Sequence, residues 1–199
     1  FEAAKRQTDA ASHILPLTDE RSDGDTFGSS LAFAEHLRAE GNRVTHVAGA
    51  HVLEMLQFLP GIETVTEDRS VMHDSSIDLA IVFDSSREAH VQGLLDHLPK
   101  PVPLLVFDHH ASNGSFGDVN VVHSVLSSTC EVVYEYFLHH KIDITPTMAK
   151  CLMTGIMTDT RMLTNPVTNP DAVERAGKLL AKGGSINMVV DNVLKQMRV

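Results

Sequence analysis

Residues 77–84 read IDLAIVFD, and residues 101–108 read PVPLLVFD. Each stretch has the length of a β-strand, is almost entirely apolar and ends in an aspartate. Strands that are apolar on both faces are typical of the centre of a parallel sheet covered by helices. The two stretches therefore predict central strands of an α/β domain, with Asp84 and Asp108 at the points where the strands end.

Strand-length runs alternate with segments of helical period through the first half of the chain. The predicted strands at 13–17, 43–49 and 77–84 precede predicted helices at 27–41, 51–59 and 87–98. This alternation predicts a parallel-stranded sheet covered by helices on both faces. The second half predicts three helices, at 127–142, 145–160 and 169–184, with Ser127 or Ser128, Thr145 and Asn169 as N-caps and Gly183 as a stop.

The length and composition fit one domain with an ordinary core. The chain has 199 residues, of which 43% are apolar. We expect residues 1–183 to form this domain. Residues 184–199 predict either a closing helix or the start of a linker to a C-terminal domain absent from this chain.

The charge balance constrains the partners. Sixteen Lys and Arg against 26 Asp and Glu give a formal net charge of −10, without a basic cluster. This balance argues against the binding of long duplex nucleic acid by an extended basic surface. It is compatible with a small anionic ligand held through metal ions. Cys130 and Cys151 form no CxxC pattern, and no apolar run reaches the roughly 18 residues of a membrane span. These features predict a soluble cytoplasmic protein without a membrane partner.

Residues that commonly bind metal ions gather where predicted strands end. The loop LPLTDERSDGDTFGSS at 15–30 contains several closely spaced carboxylates. Either these carboxylates point into water, or a bound cation offsets the repulsion between them. The full set is Asp19, Asp23, Asp25, Asp84, Asp108, His109, His110 and Asp159. Carboxylates and imidazoles without a thiolate suit Mn²⁺ or Mg²⁺, and ligands bind at the carboxyl ends of strands in open α/β sheets. Two such ions would favour hydrolysis of a phosphoester.

Four segments together resemble the motifs of the DHH phosphoesterase family. SDGDTFGSS resembles the first motif, IDLAIVFD the second, VFDHHASNGSFGDVNVV followed by SSTCE the third, and GIMTDT the fourth. The motifs occur in order between residue 13 and about residue 168. The resemblance implies the N-terminal, RecJ-like catalytic domain of that family. The continuation after the third motif is most similar to the oligoribonuclease and phosphoadenosine phosphatase branch.

The resemblance also implies a role for each matching residue. One ion would be held by Asp19, Asp23 and Asp84, and the second by Asp25, Asp84, His109 and Asp159. Mn²⁺ would be preferred and Mg²⁺ accepted. His110 would act beside the substrate phosphate, with Asp108 orienting the histidine pair. Ser29, near a helix start, and Arg161 would contact the substrate.

Two positions depart from the family pattern and leave alternatives open. Asp19 stands where the family has a metal-binding histidine, and Arg161 stands where it has glycine. The leading hypothesis is a metal-dependent phosphoesterase for short oligonucleotides or small nucleotides, of the nanoRNA or 3′-phosphoadenosine 5′-phosphate type. The alternatives are a nucleotide-binding module with weakened catalysis and a manganese pyrophosphatase. Because family members are often dimers, a homodimer is compatible with the resemblance.

Overall fold

The computed structural model describes residues 1–194 of the chain. Its centre is a seven-stranded parallel sheet in the order β4-β3-β1-β5-β6-β7, with β2 also pairing with β1. The strands are β1 (His13–Thr18), β2 (Arg43–Val44), β3 (His46–Ala48), β4 (Val65–Thr66), β5 (Leu79–Phe83), β6 (Leu104–Asp108) and β7 (Val119–Val122). The predicted parallel sheet is confirmed. Its central strands β1, β5 and β6 are buried throughout.

Helices cover both faces, unequally. The helices are α1 (Glu2–Ala10), α2 (Gly24–Ala39), α3 (Gln92–Leu95), α4 (Thr129–His139), α5 (Pro146–Asp159), α6 (Pro170–Ala181) and α7 (Ile186–Val189). The longer helices α2, α4 and α5 pack on one face, where Phe33, Phe83, Phe107 and Tyr136 meet in the larger core. The other face is covered by α3 and by short 3₁₀ turns, including the one that contains Met72. The long helices α2, α4 and α5 therefore lie on the same face of the sheet, where α2 and α5 pack against each other.

The prediction of a helix at 51–59 is wrong. Only Glu54–Leu56 forms a 3₁₀ turn, although Val52, Leu56 and Leu59 are buried as the pattern required. Pro60 follows at once and disfavours helical backbone at the residue before it, so the segment is too short to propagate a helix. The predicted helix at 87–98 is likewise reduced to a 3₁₀ turn at Glu88–His90 and the single turn of α3.

The last described segment packs back onto the domain. Helix α7 contacts α5, and a π-helical turn at Val190–Leu194 contacts the 3₁₀ turn at Glu54–Leu56. Residues 195–199, which belong to the predicted closing helix or linker, lie outside the described residues. The division of the chain at residue 183 stays a prediction.

Glycines allow α2 and α5 to approach closely. A Cβ atom on Gly28 would lie 2.5 Å from the carbonyl oxygen of Cys151 on α5. A Cβ atom on Gly155 would lie 2.5 Å from Asp25 Oδ1 and would also overlap the Cys130 thiol. Only glycine fits at such contacts. The close contact brings the C-terminal half of α5, which carries Asp159, next to the start of α2.

Candidate metal centre and active site

The loops after β1, β5 and β6 and the end of α5 meet at the carboxyl edge of the sheet. The chain leaves β1 toward β3 on one side and returns to β5 on the other, which places a topological switch point between β1 and β5. Ligands bind at such points in open α/β sheets. Asp84, which follows β5, and His109, which follows β6, lie next to each other at this edge.

His109 joins carboxylates from three other motifs. Its Nε2 lies 3.2 Å from Asp159 Oδ2, 3.6 Å from Asp84 Oδ1 and 4.0 Å from Asp25 Oδ2. Burial lowers the pKa of His109, but the hydrogen bond to Asp159 and the charges of Asp25 and Asp84 outweigh burial and raise it to about 10. The four chain-distant side chains therefore form one electrostatic unit.

Asp84 lies at the centre of this unit in a constrained backbone conformation. Its φ is +58°, a left-handed value that is uncommon outside glycine and that clusters at functional sites. Its Oδ2 accepts a hydrogen bond from Thr26 Oγ1 at 2.7 Å, and its Oδ1 accepts one from Thr129 Oγ1 at 3.1 Å. Burial, followed by the charges of Asp23 and Asp159, raises the pKa of Asp84 to about 7. The two threonines were missed by the sequence analysis, although each lies within a quoted motif.

Asp25 is fully buried at the start of α2. Its Oδ2 accepts the backbone N–H of Thr129 at 2.6 Å, and its Oδ1 accepts that of Cys130 at 2.9 Å, both at the beginning of α4. Burial and the charges of Asp159 and Asp84 raise its pKa well above the usual range. The N-terminus of α4 thus fixes a carboxylate that the rest of the cluster repels.

The buried Glu131 of the SSTCE segment stabilises the turn that presents these amides. Its carboxylate accepts hydrogen bonds from the Ser127 backbone at 2.7 Å and from the Ser127 hydroxyl, and it pairs with Arg175 at 2.7 Å. Ser128, one of the two predicted N-caps, accepts the Glu131 backbone N–H at 3.2 Å. Glu131 therefore acts on the site through the position of α4.

Asp108 holds His110 and the following loop. Its Oδ1 lies 2.7 Å from His110 Nδ1, and its Oδ2 accepts a hydrogen bond from Asn113 Nδ2 at 2.7 Å. Burial raises the pKa of Asp108, but the hydrogen bonds to His110 and Asn113 outweigh it and lower the pKa overall. The same contact with Asp108 raises the pKa of His110. Asn113 was not identified from sequence, because an amide after DHH has no distinctive spacing.

Asp23 caps α2 beside the cluster. Its Oδ1 accepts the backbone N–H groups of Asp25 at 2.9 Å and Thr26 at 3.2 Å. Desolvation by the packed surroundings, followed by the charge of Asp159, raises its pKa, although part of the residue remains exposed to solvent. Helix α2 therefore begins at Gly24, earlier than predicted.

Asp19 has different partners from the other predicted ligands. Its Oδ1 accepts the Arg21 backbone N–H at 2.8 Å, and its Oδ2 accepts the Ser85 hydroxyl at 3.0 Å. The same Oδ2 lies 3.7 Å from Arg21 Nη2 and 3.7 Å from His90 Nδ1. Within residues 1–194, neither Asp19 nor Asp23 belongs to a compact group of three ligand-type residues.

The two residues predicted to contact substrate are placed differently from each other. Ser29 is fully buried, and its hydroxyl donates to the carbonyl oxygens of Asp25 at 2.7 Å and Thr26 at 3.1 Å in its own helix. Because α2 begins at Gly24, Ser29 lies in the second turn of the helix, and its contact with substrate stays a prediction. Arg161 is exposed at φ +48° and directly follows Thr160, the C-cap of α5.

The donor set fits hard divalent ions. In the described part of the chain, ligand atoms lie within 4.8 Å of one another in the groups Asp25/His109/Asp159 and Asp84/His109/His110. Neither group contains a thiol, and mutual repulsion contributes to the raised pKa values of Asp23, Asp25 and Asp84. A cation of charge +2 would offset that repulsion. The residues present therefore fit a Mn²⁺ or Mg²⁺ site.

A third group of ligand-type residues lies far from this edge. Glu2, His139 and His140 gather at the other end of α4, with His139 Nε2 2.9 Å from Glu2 Oε1. His139 and Glu2 are 47% and 69% exposed, as expected of surface side chains. An 11-residue helix separates them from Asp25 by about 16 Å.

Comparison with known proteins agrees with this geometry. The family model described as "DHH family, N-terminal domain" matches residues 13–156. The chain belongs to the DHH family. The bifunctional oligoribonuclease and PAP phosphatase NrnA of Thermus thermophilus is 28% identical over 183 residues, which cover 92% of this chain and 52% of that protein. The chain spans about half the length of the curated relatives that it matches.

Two solved structures have the same fold as this chain. An exopolyphosphatase-related protein from Bacteroides fragilis superimposes with a TM-score of 0.88 at 22% identity, covering 98% of this chain and 59% of that one. RecJ of Thermus thermophilus in complex with Mn²⁺ gives a TM-score of 0.51 at 14% identity, covering 92% and 25%. Within the 194 described residues, no helix has both the length and the apolar character needed to span a membrane.

Proposed function

We propose that this chain hydrolyses phosphoester bonds of short oligonucleotides or small nucleotides, of the nanoRNA or 3′-phosphoadenosine 5′-phosphate type, with two divalent metal ions and a preference for Mn²⁺. The observation that carries the proposal is the convergence of Asp25, Asp84 and Asp159 within 4.0 Å of His109 Nε2. The oligoribonuclease and PAP phosphatase of Thermus thermophilus supports the substrate class, and the RecJ complex supports the metal. A cytoplasmic location and a homodimer stay predictions.

The residues divide between two ion positions. Asp25, His109 and Asp159 would hold one ion, Asp23 and Asp19 the other, and Asp84 would bridge them. A bound pair of ions supplies an activated water and neutralises charge on the phosphate. Thr26 and Thr129 fix the Asp84 carboxylate by hydrogen bonds of 2.7 and 3.1 Å, so that its orientation is set before any ion binds.

His110 is the side chain best suited to act on the substrate itself. Asp108 engages Nδ1 at 2.7 Å, which leaves Nε2 as the ring atom available to a phosphate oxygen. Because the pKa of His110 is raised, its cationic form gains population near neutral pH and can donate a hydrogen bond to developing negative charge. Asp108 would act as a positioning residue by fixing the imidazole ring.

A nucleotide-binding module with weakened catalysis is the second candidate. Asp19 supports it, because among residues 1–194 this carboxylate belongs to no compact group of ligand atoms and instead lies 3.7 Å from both Arg21 Nη2 and His90 Nδ1. An ion at the Asp23 position would then lack the ligand that the family supplies from histidine. A manganese pyrophosphatase is the third candidate, because the resemblance to the family motifs implies the same kind of metal-binding residues for such an enzyme.

Mn²⁺-dependent release of mononucleotides from a dinucleotide tests the proposal. Turnover together with calorimetric binding of two Mn²⁺ ions per chain supports the two-metal enzyme. Binding of one ion or none at millimolar Mn²⁺, without turnover, supports the module. Release of phosphate from pyrophosphate but no cleavage of dinucleotides or 3′-phosphoadenosine 5′-phosphate would replace the proposal with the pyrophosphatase.

A further inference from the structure

We propose that an apolar groove beside the carboxylate cluster binds the base of the nucleotide whose phosphate lies at that cluster. The groove has a volume of about 500 Å³, within the range of small-molecule sites. We call it the methionine groove, defined by Met55, Leu56, Met157, Met162 and Val193. The inference rests on the proposed function for the position of the phosphate.

The groove is continuous with the candidate active site. Asp23 and Gly24, which begin α2, line one end of it. Asp23 Oδ1 lies 2.9 Å from the backbone nitrogen of Asp25, so the end of the groove and the metal-binding cluster share one turn of chain. When the phosphate of a nucleotide lies at the cluster, the nucleoside attached to that phosphate can therefore reach the groove.

The lining suits a flat apolar ring. Leu56, Met157 and Val193 are buried and form the floor, whereas Met55 and Met162 are half-buried. Among the described residues that line the groove away from Asp23, Thr158 and Arg161, none carries a hydroxyl, amide or charged group. Thioethers make favourable contacts with aromatic rings and adapt to different shapes. The groove should therefore accept all bases with little discrimination, because stacking does not read hydrogen-bonding edges.

Arg161 adds a cation to the lining of the groove. It is exposed and begins a run of three residues with left-handed backbone, at φ values of 48°, 62° and 62°. Among residues 1–194, no carboxylate forms an ion pair with its guanidinium. A guanidinium that lines the groove and has no ion-pair partner among residues 1–194 suits a phosphate oxygen of the nucleotide whose base the groove holds.

Methyl NMR of methionine-labelled protein tests binding without requiring turnover. Adenosine 5′-monophosphate should shift the methyl signals of Met55 and Met162 through the ring current of its base, whereas ribose 5-phosphate should not. Met72, buried on the opposite face of the sheet, is the internal control and should not respond. Equal shifts with both ligands, or no shift with either at millimolar concentration, would overturn the inference.

Substrate kinetics provide a second, independent test. We expect the wild-type protein to cleave a dinucleotide about tenfold more efficiently, in kcat/KM, than the same dinucleotide without the groove-bound base. Met55→Ala should reduce this ratio toward one, whereas Leu180→Ala, a change at an exposed leucine on α6, should keep it. A ratio unchanged by Met55→Ala contradicts the groove but leaves the phosphoesterase intact. Absence of cleavage of either substrate contradicts the phosphoesterase, and the NMR result still decides the groove.

Discussion

The carboxylate of Asp25 accepts the backbone N–H groups of both Thr129 and Cys130, at 2.6 and 2.9 Å, across more than one hundred residues of sequence. A buried carboxylate surrounded by Asp84 and Asp159 is electrostatically unfavourable, and the first turn of α4 stabilises it through amide donors and the helix dipole. Asp25 therefore links the metal-binding cluster to the position of α4.

Asp25→Asn should abolish metal-dependent turnover. The amide group can accept from one backbone N–H but offers a donor to the other, and it carries no charge for a cation. We expect kcat/KM to fall by about 100-fold or more and the calorimetric Mn²⁺ stoichiometry to drop by one ion. The exposed Asp9→Asn serves as the control and should change neither quantity. Wild-type stoichiometry in the Asp25 variant would show that this carboxylate is not a ligand.

Gly155→Ala should damage both stability and metal binding. The added Cβ would lie 2.5 Å from Asp25 Oδ1 and overlap the Cys130 thiol, so α5 must shift away from α2. We expect a loss of about 1–3 kcal/mol in the free energy of unfolding, together with weaker Mn²⁺ binding. Chemical denaturation and calorimetry measure the two effects.

Gly177→Ala provides the matched control for that substitution. Gly177 is also helical, but a Cβ atom at this position has nothing within 4 Å. Alanine should therefore stabilise α6 by about 0.4–1 kcal/mol and leave Mn²⁺ affinity unchanged. Equal effects of the two alanines would argue against close packing as the role of Gly155.

Asp108→Asn should lower kcat while the protein keeps its metal. Asp108 engages His110 and Asn113 and belongs to neither of the two groups of ligand atoms at this edge of the sheet among the described residues. We expect kcat to fall by about 10–100-fold, the range for groups that orient another side chain, with two Mn²⁺ ions still bound. Loss of an ion in this variant would instead place Asp108 among the ligands.

Asp19→His should test the first ion position. The substitution breaks the hydrogen bond from Ser85 and restores the neutral ligand that the family carries at this position. If Asp19 weakens metal binding at this position, the histidine variant should bind Mn²⁺ about tenfold more tightly and turn over about tenfold faster. A fall in both quantities would mean that Asp19 is itself a working ligand.

His46→Leu should stabilise the protein and reduce its sensitivity to acid. His46 is buried on β3 without a hydrogen-bond partner for either ring nitrogen among the described residues. An unpartnered buried polar group costs about 1–3 kcal/mol, which leucine would remove. Denaturation at pH 7 measures this gain, and a variant no more stable than wild type would contradict it.

The acid sensitivity follows from the pKa of His46, which burial lowers from 6.5 to about 3. Between these values the unfolded chain binds a proton that the folded chain does not. Stability should therefore fall as pH decreases through this window, by up to about 1.4 kcal/mol per pH unit for one group. Burial also lowers the pKa values of His13 and His36, so His46→Leu should reduce the slope without removing it.

Local sequence signals determined the central strands of the sheet and several helix starts, but not the edge strands β4 and β7. The apolar runs before Asp84 and Asp108 predicted two neighbouring buried strands, because strand burial depends mainly on the side chains of the strand itself. Asn169 and Thr145 were correctly predicted as N-caps, since a cap bonds to its own helix. The prediction of a helix at 51–59 failed because the apolar residues there have helical spacing, whereas Pro60 limits the length of the segment.

The candidate ligands could be named from sequence, but only the tertiary structure decided how each is held. Asp25 and the amides of α4, or Asp19 and Ser85, are pairs that no local rule connects, because their contacts depend on how α2, α4 and β5 pack. The same packing buried Ser29 and exposed Arg161 beside the methionine groove. The sequence by itself determined the central strands β1, β5 and β6 and the carboxylates at or after their ends, since these depend on residue type and spacing. The partners of those carboxylates, and the groove beside them, required the packed fold, because they arise between segments far apart in the chain.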